Sequence, residues 1–413
     1  MSTDKNKLIP ELRFPEFEDE GEWEETELGK CLDYLQPTKY LVESTDYRDV
    51  YDIPVLTAGK TFILGYTNEK NGIFEKKLPV IIFDDFTTAS KYVDFPFKAK
   101  SSAMKILFAN KNTSIKFVFE SLQMIGYEVG VHKRHWISIF SNLKIPIPNP
   151  QEQQKIASCL SSLDEVITAH NQKLDTLKAH KKGLMQNLFP TNSITNDELE
   201  ITNVPKYRFP EFLKDGEWVE KKLGEVFSIF QGFAFSSKDN VSSGTRWLKI
   251  ADVGIQKMKE DNPTYLPSSF KETYQRFLVR KGDFVMALTR PILNMELKIA
   301  PVDNVFHNAL LNQRVGKIVT SNNSSFVYYL IQTTKMVGNI NKNIAGNEPP
   351  NLSFQQIEDI DIFLPKEIKE QQKIASCLST LDDLITAQTE KIAQLKLHKK
   401  GLMQGLFPKS ITN

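Results

Sequence analysis

Apolar residues recur at alternating steps of four and three along two stretches of this chain. In the first they stand at Ile156, Leu160, Leu163, Ile167, Leu174, Leu177, Leu184 and Leu188; in the second at Ile374, Leu378, Leu381, Ile385, Ile392, Leu395, Leu402 and Leu406. His170 and Lys181 fill the remaining seam positions of the first, Gln388 and Lys399 those of the second. This is the heptad period of a helix packed lengthwise on another helix. No proline interrupts either run, and Pro190 and Pro408 close them. At 1.5 Å per residue each predicted helix is roughly 55 Å long. A polar residue in such a seam lowers stability but fixes register. His170 and Gln388 sit near the midpoints and are expected to lie close together in an antiparallel pair.

The two stretches are copies. EQQKIASCLSSLDEVITAHNQKLDTLKAHKKGLMQNLFP from Glu152 and EQQKIASCLSTLDDLITAQTEKIAQLKLHKKGLMQGLFP from Glu370 align over 39 positions, 28 of them identical. A second repeat opens each half: RFPEF, GEW, E and LG follow Arg13 and again Arg208, at an offset of 195. The helices are offset by 218, so the middle of the second half is longer by 23 residues (218 − 195). Ser193 to Asn196 read SITN, as do Ser410 to Asn413. The pattern predicts a pseudo-twofold body with neighbouring termini. Its segments are a first domain over 1–150, a helix over 151–190, a linker over 191–206, a second domain over 207–368 and a second helix over 369–408.

Between the repeated ends the pattern shortens. VYDIPVLTA, KTFILGYTN and LPVIIFDDF in the first middle, and RWLKIADVG and GDFVMALTR in the second, are short apolar runs bounded by Gly, Asn and Asp, as strands are. A helix is expected late in each, from Ser114 and from Ser324. A polar loop follows, then a strand ending in proline: Leu143 to Pro148 and Ile360 to Pro365. The fold class is α+β: two globular strand-rich domains separated by two long antiparallel coiled-coil helices. The middles share an order of elements but little sequence.

Composition narrows the class. The chain has 413 residues and a net charge of +1, so any nucleic-acid site must be local. Cys31, Cys159 and Cys377 are too few and too scattered for a disulfide framework or a zinc cluster. No apolar run approaches a membrane span, and MSTDKNKLIPELRF is not a signal peptide. The expectation is a cytoplasmic protein.

Candidate chemistry lies in the middles. His132, Lys133, Arg134 and His135 stand beside Trp136; Arg and Lys give phosphate contacts, and Arg reads guanine by a bidentate pair. A solvated charge run reads the same way. A metal on the two histidines is disfavoured by the cations between them. Lys91, Lys98, Lys100, Lys105, Lys111 and Lys116 face one acid, Asp94, a local charge of +5 over 91–116. That suits a phosphate-tracking surface, or strand-edge lysines. In the second half the loop taken over Asn341–Ser353 offers Asn343 and Asn347, and Thr289, Arg290 and Asn294 follow a strand; turn chemistry is the alternative. The DNA-binding candidates are Thr87, Thr88, Lys91, Lys105, Lys133 and Arg134 in the first domain. In the second they are Arg246, Lys249, Thr289, Arg290, Asn343 and Asn347.

Enzymatic signals are missing. There is no phosphate-binding GxxxxGK[ST] and no HExxH. Asn347-Glu348-Pro349-Pro350-Asn351 departs from the Asn-Pro-Pro-aromatic signature of amino-methyltransferases. Asp84-Asp85 lacks a nearby Glu-x-Lys. No catalytic residue and no metal ligand is assigned.

The motif from EQQKIASCLSSLD to KKGLMQNLFP, twice present and each time after a proline-ended strand, resembles the specificity subunit of type I restriction–modification systems. VIIFDDFTTASKYVDFPFKAKSSAMKIL (Val80 to Leu107) and IPVLTAGKTFILGYTNEKNGIF (Ile53 to Phe74) are similar to target recognition domains of that family, and RFPEF with GEW to its opening segments. The resemblance covers essentially the whole chain. It implies two target recognition domains, each gripping one half of a bipartite, asymmetric site on double-stranded DNA. The paired helices would act as a ruler, with about 16 base-pair steps at about 3.4 Å as the outer bound. They would also bind two methyltransferase subunits, and the full complex adds two translocase–nuclease subunits. The chain itself would be non-catalytic and hold no cofactor; S-adenosylmethionine, ATP and magnesium would belong to the partners. A bivalent coiled-coil scaffold for protein or RNA, and a head with nuclease activity, are the competing classes.

Overall fold

The computed structural model describes residues 7–57, 59, 61–127, 135–190, 192–195, 198–201, 203–344 and 350–408. Among them are five helices of seven or more residues: α1 (Ile115–Met124), α2 (Pro150–Asn187), α3 (Ser324–Leu330), α4 (Thr334–Ile344) and α5 (Ile368–Leu406). The heptad stretches are the two long ones. Their seam is the least exposed line of each: Ile156, Leu160, Ile167, Lys181 and Leu188 are buried on α2 and its end, and Ile374, Leu378, Leu381, Gln388, Ile392 and Leu406 on α5. Leu163, His170, Leu174, Leu177 and Leu184, and Ile385, Leu395, Lys399 and Leu402, are half-buried.

The chain divides into two compact units, Met1–Gln172 with Thr389–Asn413, and Lys173–Gln388. Each long helix therefore contributes its first part to one unit and its last part to the other.

In the first unit, a four-stranded antiparallel sheet runs in the order Leu32–Leu35, Met104–Ala109, Val80–Asp84, Ser90–Val93. A three-stranded sheet places Ile53–Leu56 between Ile63–Thr67, antiparallel, and Lys98–Ala99, parallel. The opening segment adds Glu24–Glu27, paired antiparallel with Lys144–Ile147. The end of α5 closes this unit: Phe407 lies 5.1 Å from Phe117 of α1 and 6.2 Å from Trp23, in a core with Ile156 and Leu160. Leu12 N–H donates to the Gly405 carbonyl, tying the opening segment to that helix end at 2.8 Å.

The second unit repeats the topology. Its four strands run Ser228–Gln231, Val315–Val319, Phe284–Ala287, Ile299–Pro301, all antiparallel. Thr245–Leu248 lies between Tyr265–Leu266, antiparallel, and Leu310–Leu311, parallel. Val219–Lys222 pairs with Asp361–Leu364. Phe189, just past α2, packs on Phe326 at 5.5 Å and on Trp218 at 6.5 Å, and Tyr207 N–H donates to the Asn187 carbonyl.

One helix expectation is corrected. The run from Ser324 is two helices. Thr333 Oγ1 donates back to the Leu330 carbonyl at 2.8 Å and accepts from Met336 N–H at 3.4 Å, ending α3 and capping α4 with one hydroxyl.

Candidate nucleic-acid interface

The repeated residues are structural. Arg13 gives Glu152 two hydrogen bonds of 2.8 Å, and Arg208 gives Glu370 the same pair. Both carboxylates are buried, and the hydrogen bonds hold both guanidiniums above their ordinary pKa. The next residue of each copy ties the frame to the head. Gln153 Oε1 accepts from Ser114 N–H at 3.0 Å, and Gln371 Oε1 from Asn323 N–H at 3.1 Å. Ser114 and Asn323 are the N-caps of α1 and α3. The EQQ motif thus fixes, in each unit, the opening segment and one helix of the head.

The candidate DNA-contacting residues lie in the non-repeated heads. In the first unit Thr87 is exposed and Thr88 adopts a left-handed φ of 60°, in a tight turn after Val80–Asp84. Asp84 Oδ1 accepts from Phe86 and Thr87 N–H at 2.8 and 3.0 Å, so this carboxylate builds the turn that presents the threonines. Lys91 is exposed on the following strand. Lys133, Arg134 and Asn347 lie outside the described residues.

Lys105 is a correction. Its side chain is fully buried, with Nζ 3.3 Å from Asp85 Oδ2. The same Asp85 accepts from His135 N–H at 3.1 Å and Trp136 N–H at 2.9 Å. It cannot touch a phosphate without leaving the core. The local charge of +5 fails for the same reason. Lys98 is buried against Glu69 and Lys116 against Asp164, acids outside that window, and Lys116 also pairs with Glu120 one turn on along α1. Lys91, Lys100 and Lys111 are the exposed members of that run.

In the second unit Arg290 is exposed, with a left-handed φ of 47°, and its N–H donates to Pro350 O at 2.7 Å. Thr289 beside it is half-buried. Burial first, then the like charges of Lys259 and Arg290, hold the Lys298 ammonium below its ordinary pKa. Three cations therefore share one field here. Asn294 and Met295 both have positive φ between Ile292–Leu293 and Glu296–Leu297; Asn294 serves a two-residue hairpin turn. Asn343 is exposed but sits in the last turn of α4, not in a loop, with Nδ2 donating to the Asn339 carbonyl at 2.9 Å. Lys249 is half-buried, its ammonium 5.3 Å from the Trp247 ring. Arg246 is nine-tenths buried and held by Asp252 at 3.4 Å. Around it lie Lys271, His307 and Asn308, missed in the sequence because they come from separate loops.

Frame and heads define a class: two heads of one topology and different surfaces, carried on repeated long helices. The comparisons place it. A model for the type I restriction modification DNA specificity domain matches residues 20–179 and 215–397, and the chain belongs to that family. It is 33% identical over 399 residues to the type I restriction enzyme EcoR124I/EcoR124II specificity subunit of Escherichia coli, covering 92% of both chains. The MjaVIII specificity subunit of Methanocaldococcus jannaschii is 27% identical, over 96% of this chain and 93% of that protein. The crystal structure of a type I restriction-modification S subunit from M. genitalium shares the fold with a TM-score of 0.64 at 16% identity, over 98% of this chain and all of the other. No helix among the described residues is long and apolar enough to cross a membrane.

Proposed function

We propose that this chain is the DNA-specificity subunit of a type I restriction–modification complex, each head reading one half of a bipartite, asymmetric site. The observation that carries the reading is the contrast between a repeated frame and non-repeated surfaces. Arg13–Glu152 and Arg208–Glu370 hold the two heads identically. Arg290 and its cationic neighbours have no counterpart set by the repeat. Different readers on one frame call for different half-sites.

The long helices supply the spacer. Asp164 pairs with Lys399 in one unit and Asp382 with Lys181 in the other, equivalent residues of the two copies in exchanged roles. Within its own unit, each pair is what an antiparallel pairing of the two helices would bring together, and this supports that reading. In this reading the helices set the unread spacing and dock two methyltransferase subunits, with two translocase–nuclease subunits completing the complex in the cytoplasm. The chain confers specificity and performs no chemistry; S-adenosylmethionine, ATP and magnesium act in the partners.

The test is a methylation profile of cells carrying Arg134→Ala or Arg290→Ala beside the cognate methyltransferase. Each change is expected to weaken or relax one half of the motif only. Equal effects on both halves would contradict two independent readers, and a wild-type profile with no split motif would favour a protein- or RNA-binding scaffold.

A further inference from the structure

The second unit contains a recess of about 550 Å³ beside Arg246, between the Thr245–Leu248 strand, the 265–271 segment and the 305–308 loop. Its chemistry is one-sided. The Arg246 guanidinium is fixed by Asp252, lies 4.6 Å from the Phe306 ring and 5.9 Å from the Tyr265 ring, and leaves its buried Nε without a hydrogen-bond partner among the described residues. His307 Nδ1 accepts from Lys281 N–H at 3.1 Å, which puts the neutral ring's proton on Nε2 as a donor. Asn308 Oδ1 accepts from the Arg280 guanidinium, leaving its side-chain amide N–H groups as donors. Ser268 and the exposed Lys271 complete the wall, and no carboxylate among the described residues lines it. A wall of donors with a rigid cation at its back fits an anion.

The recess is not part of the repeated frame. Trp247 and Leu248 pair in parallel with Leu310 and Leu311 as Val55 and Leu56 pair with Lys98 and Ala99. Arg246, opposite Tyr265, therefore occupies the ladder position of Pro54, opposite Tyr66. The first head has no cation there.

Shape decides what enters. Base edges lie at the floor of a groove about 8.5 Å deep and are reached by side chains that protrude. Phosphates stand out from the duplex and can enter a hollow. We propose that this recess seats one backbone phosphate of the DNA bound by the second head, with Arg246 and Lys271 as charge partners and His307 and Asn308 as neutral donors. The proposal rests on the DNA-reading function above. It makes Arg246 a register-setting contact rather than a reader of sequence, and leaves reading to protruding residues such as Arg290.

The experiment uses the full chain assembled with its methyltransferase subunits, and duplexes carrying its methylation motif. Neutral methylphosphonates replace the phosphates of the second half-site one at a time. Wild type is expected to lose about tenfold in affinity at one position, the size of a charge-assisted hydrogen bond. Lys271→Ala and Arg246→Lys should bind several-fold more weakly, lose little further at that position, and keep the methylated motif unchanged. The magnitude of the salt slope should fall by about one in Lys271→Ala. Lys271 is exposed, so this variant keeps the test independent of folding. Additive losses at every position, or a changed second half-motif, would overturn the phosphate seat while leaving DNA recognition intact. Wild-type binding with neither motif preference nor salt dependence would remove the reading beneath it.

Discussion

Lys399 donates to Asp164 at 2.7 Å, joining the last part of the second long helix to the first part of the first helix within one unit. Lys116 and Glu120 of α1 complete the cluster. Lys181 and Asp382 repeat the pair in the other unit, joined by Tyr329 and Gln256. Each seam pair thus also touches the head of its own unit, so helix register and head placement are fixed by the same charges.

This cluster has a pH signature. Burial raises the Asp164 carboxyl, but hydrogen bonds from Lys116 and Lys399 outweigh it and hold the group below its ordinary value. Its contribution is therefore full above pH about 4 and is lost as pH falls through the lowered value. Burial lowers the Lys116 ammonium, but its hydrogen bonds to Asp164 and Glu120 outweigh that and raise it, so its contribution is lost only in strong base. Asp164→Asn should cost about 1 kcal/mol at neutral pH, a modest figure because the carboxylate is a third exposed. Thermal melts against pH should show the two proteins converging below pH about 4.

The buried arginine clamps cost more to break. Glu370→Ala leaves Arg208 buried without its partner and removes the acceptor of Trp218 Nε1, 3.2 Å away. A loss of about 3–5 kcal/mol is expected in urea unfolding. The Arg208→Ala, Glu370→Ala double variant should lose less than the sum of the singles, because neither charge is then left alone.

Asp85 and Lys105 are unequal partners. Asp85→Ala strands a fully buried ammonium and the Trp136 N–H, at about 3–5 kcal/mol, while His135 N–H keeps the residue 85 carbonyl. Lys105→Met leaves Asp85 its two backbone donors and should cost at least about 2 kcal/mol less. Equal losses would contradict Asp85 as the anchor of Trp136.

Phe189 and Phe407 are the pins that close each unit on the end of a long helix. Either one changed to Ala should destabilise by about 3–5 kcal/mol, as for a buried aromatic. Proteolysis should then open the unit whose pin was removed first.

The frame was legible because it is written twice. The two long helices and the proline-ended strands follow from local periodicity and are found where the sequence places them. The surface was not, because charge counted along a window ignores partners far away. Lys98, Lys105 and Lys116 read as an exposed basic run, yet Glu69, Asp85 and Asp164 come to them through the fold. The Arg246 recess was hidden for the same reason, its walls coming from three distant segments. The break at Thr333 was missed because one hydroxyl ends a helix that hydrophobicity alone would continue.

The most direct test is base-resolved adenine methylation in cells expressing this chain with its cognate methyltransferase, against deletion of this chain alone. A split, asymmetric motif that vanishes on deletion is the predicted result and supplies both half-sites. Unchanged methylation, with the methyltransferase present and active, would contradict the specificity role.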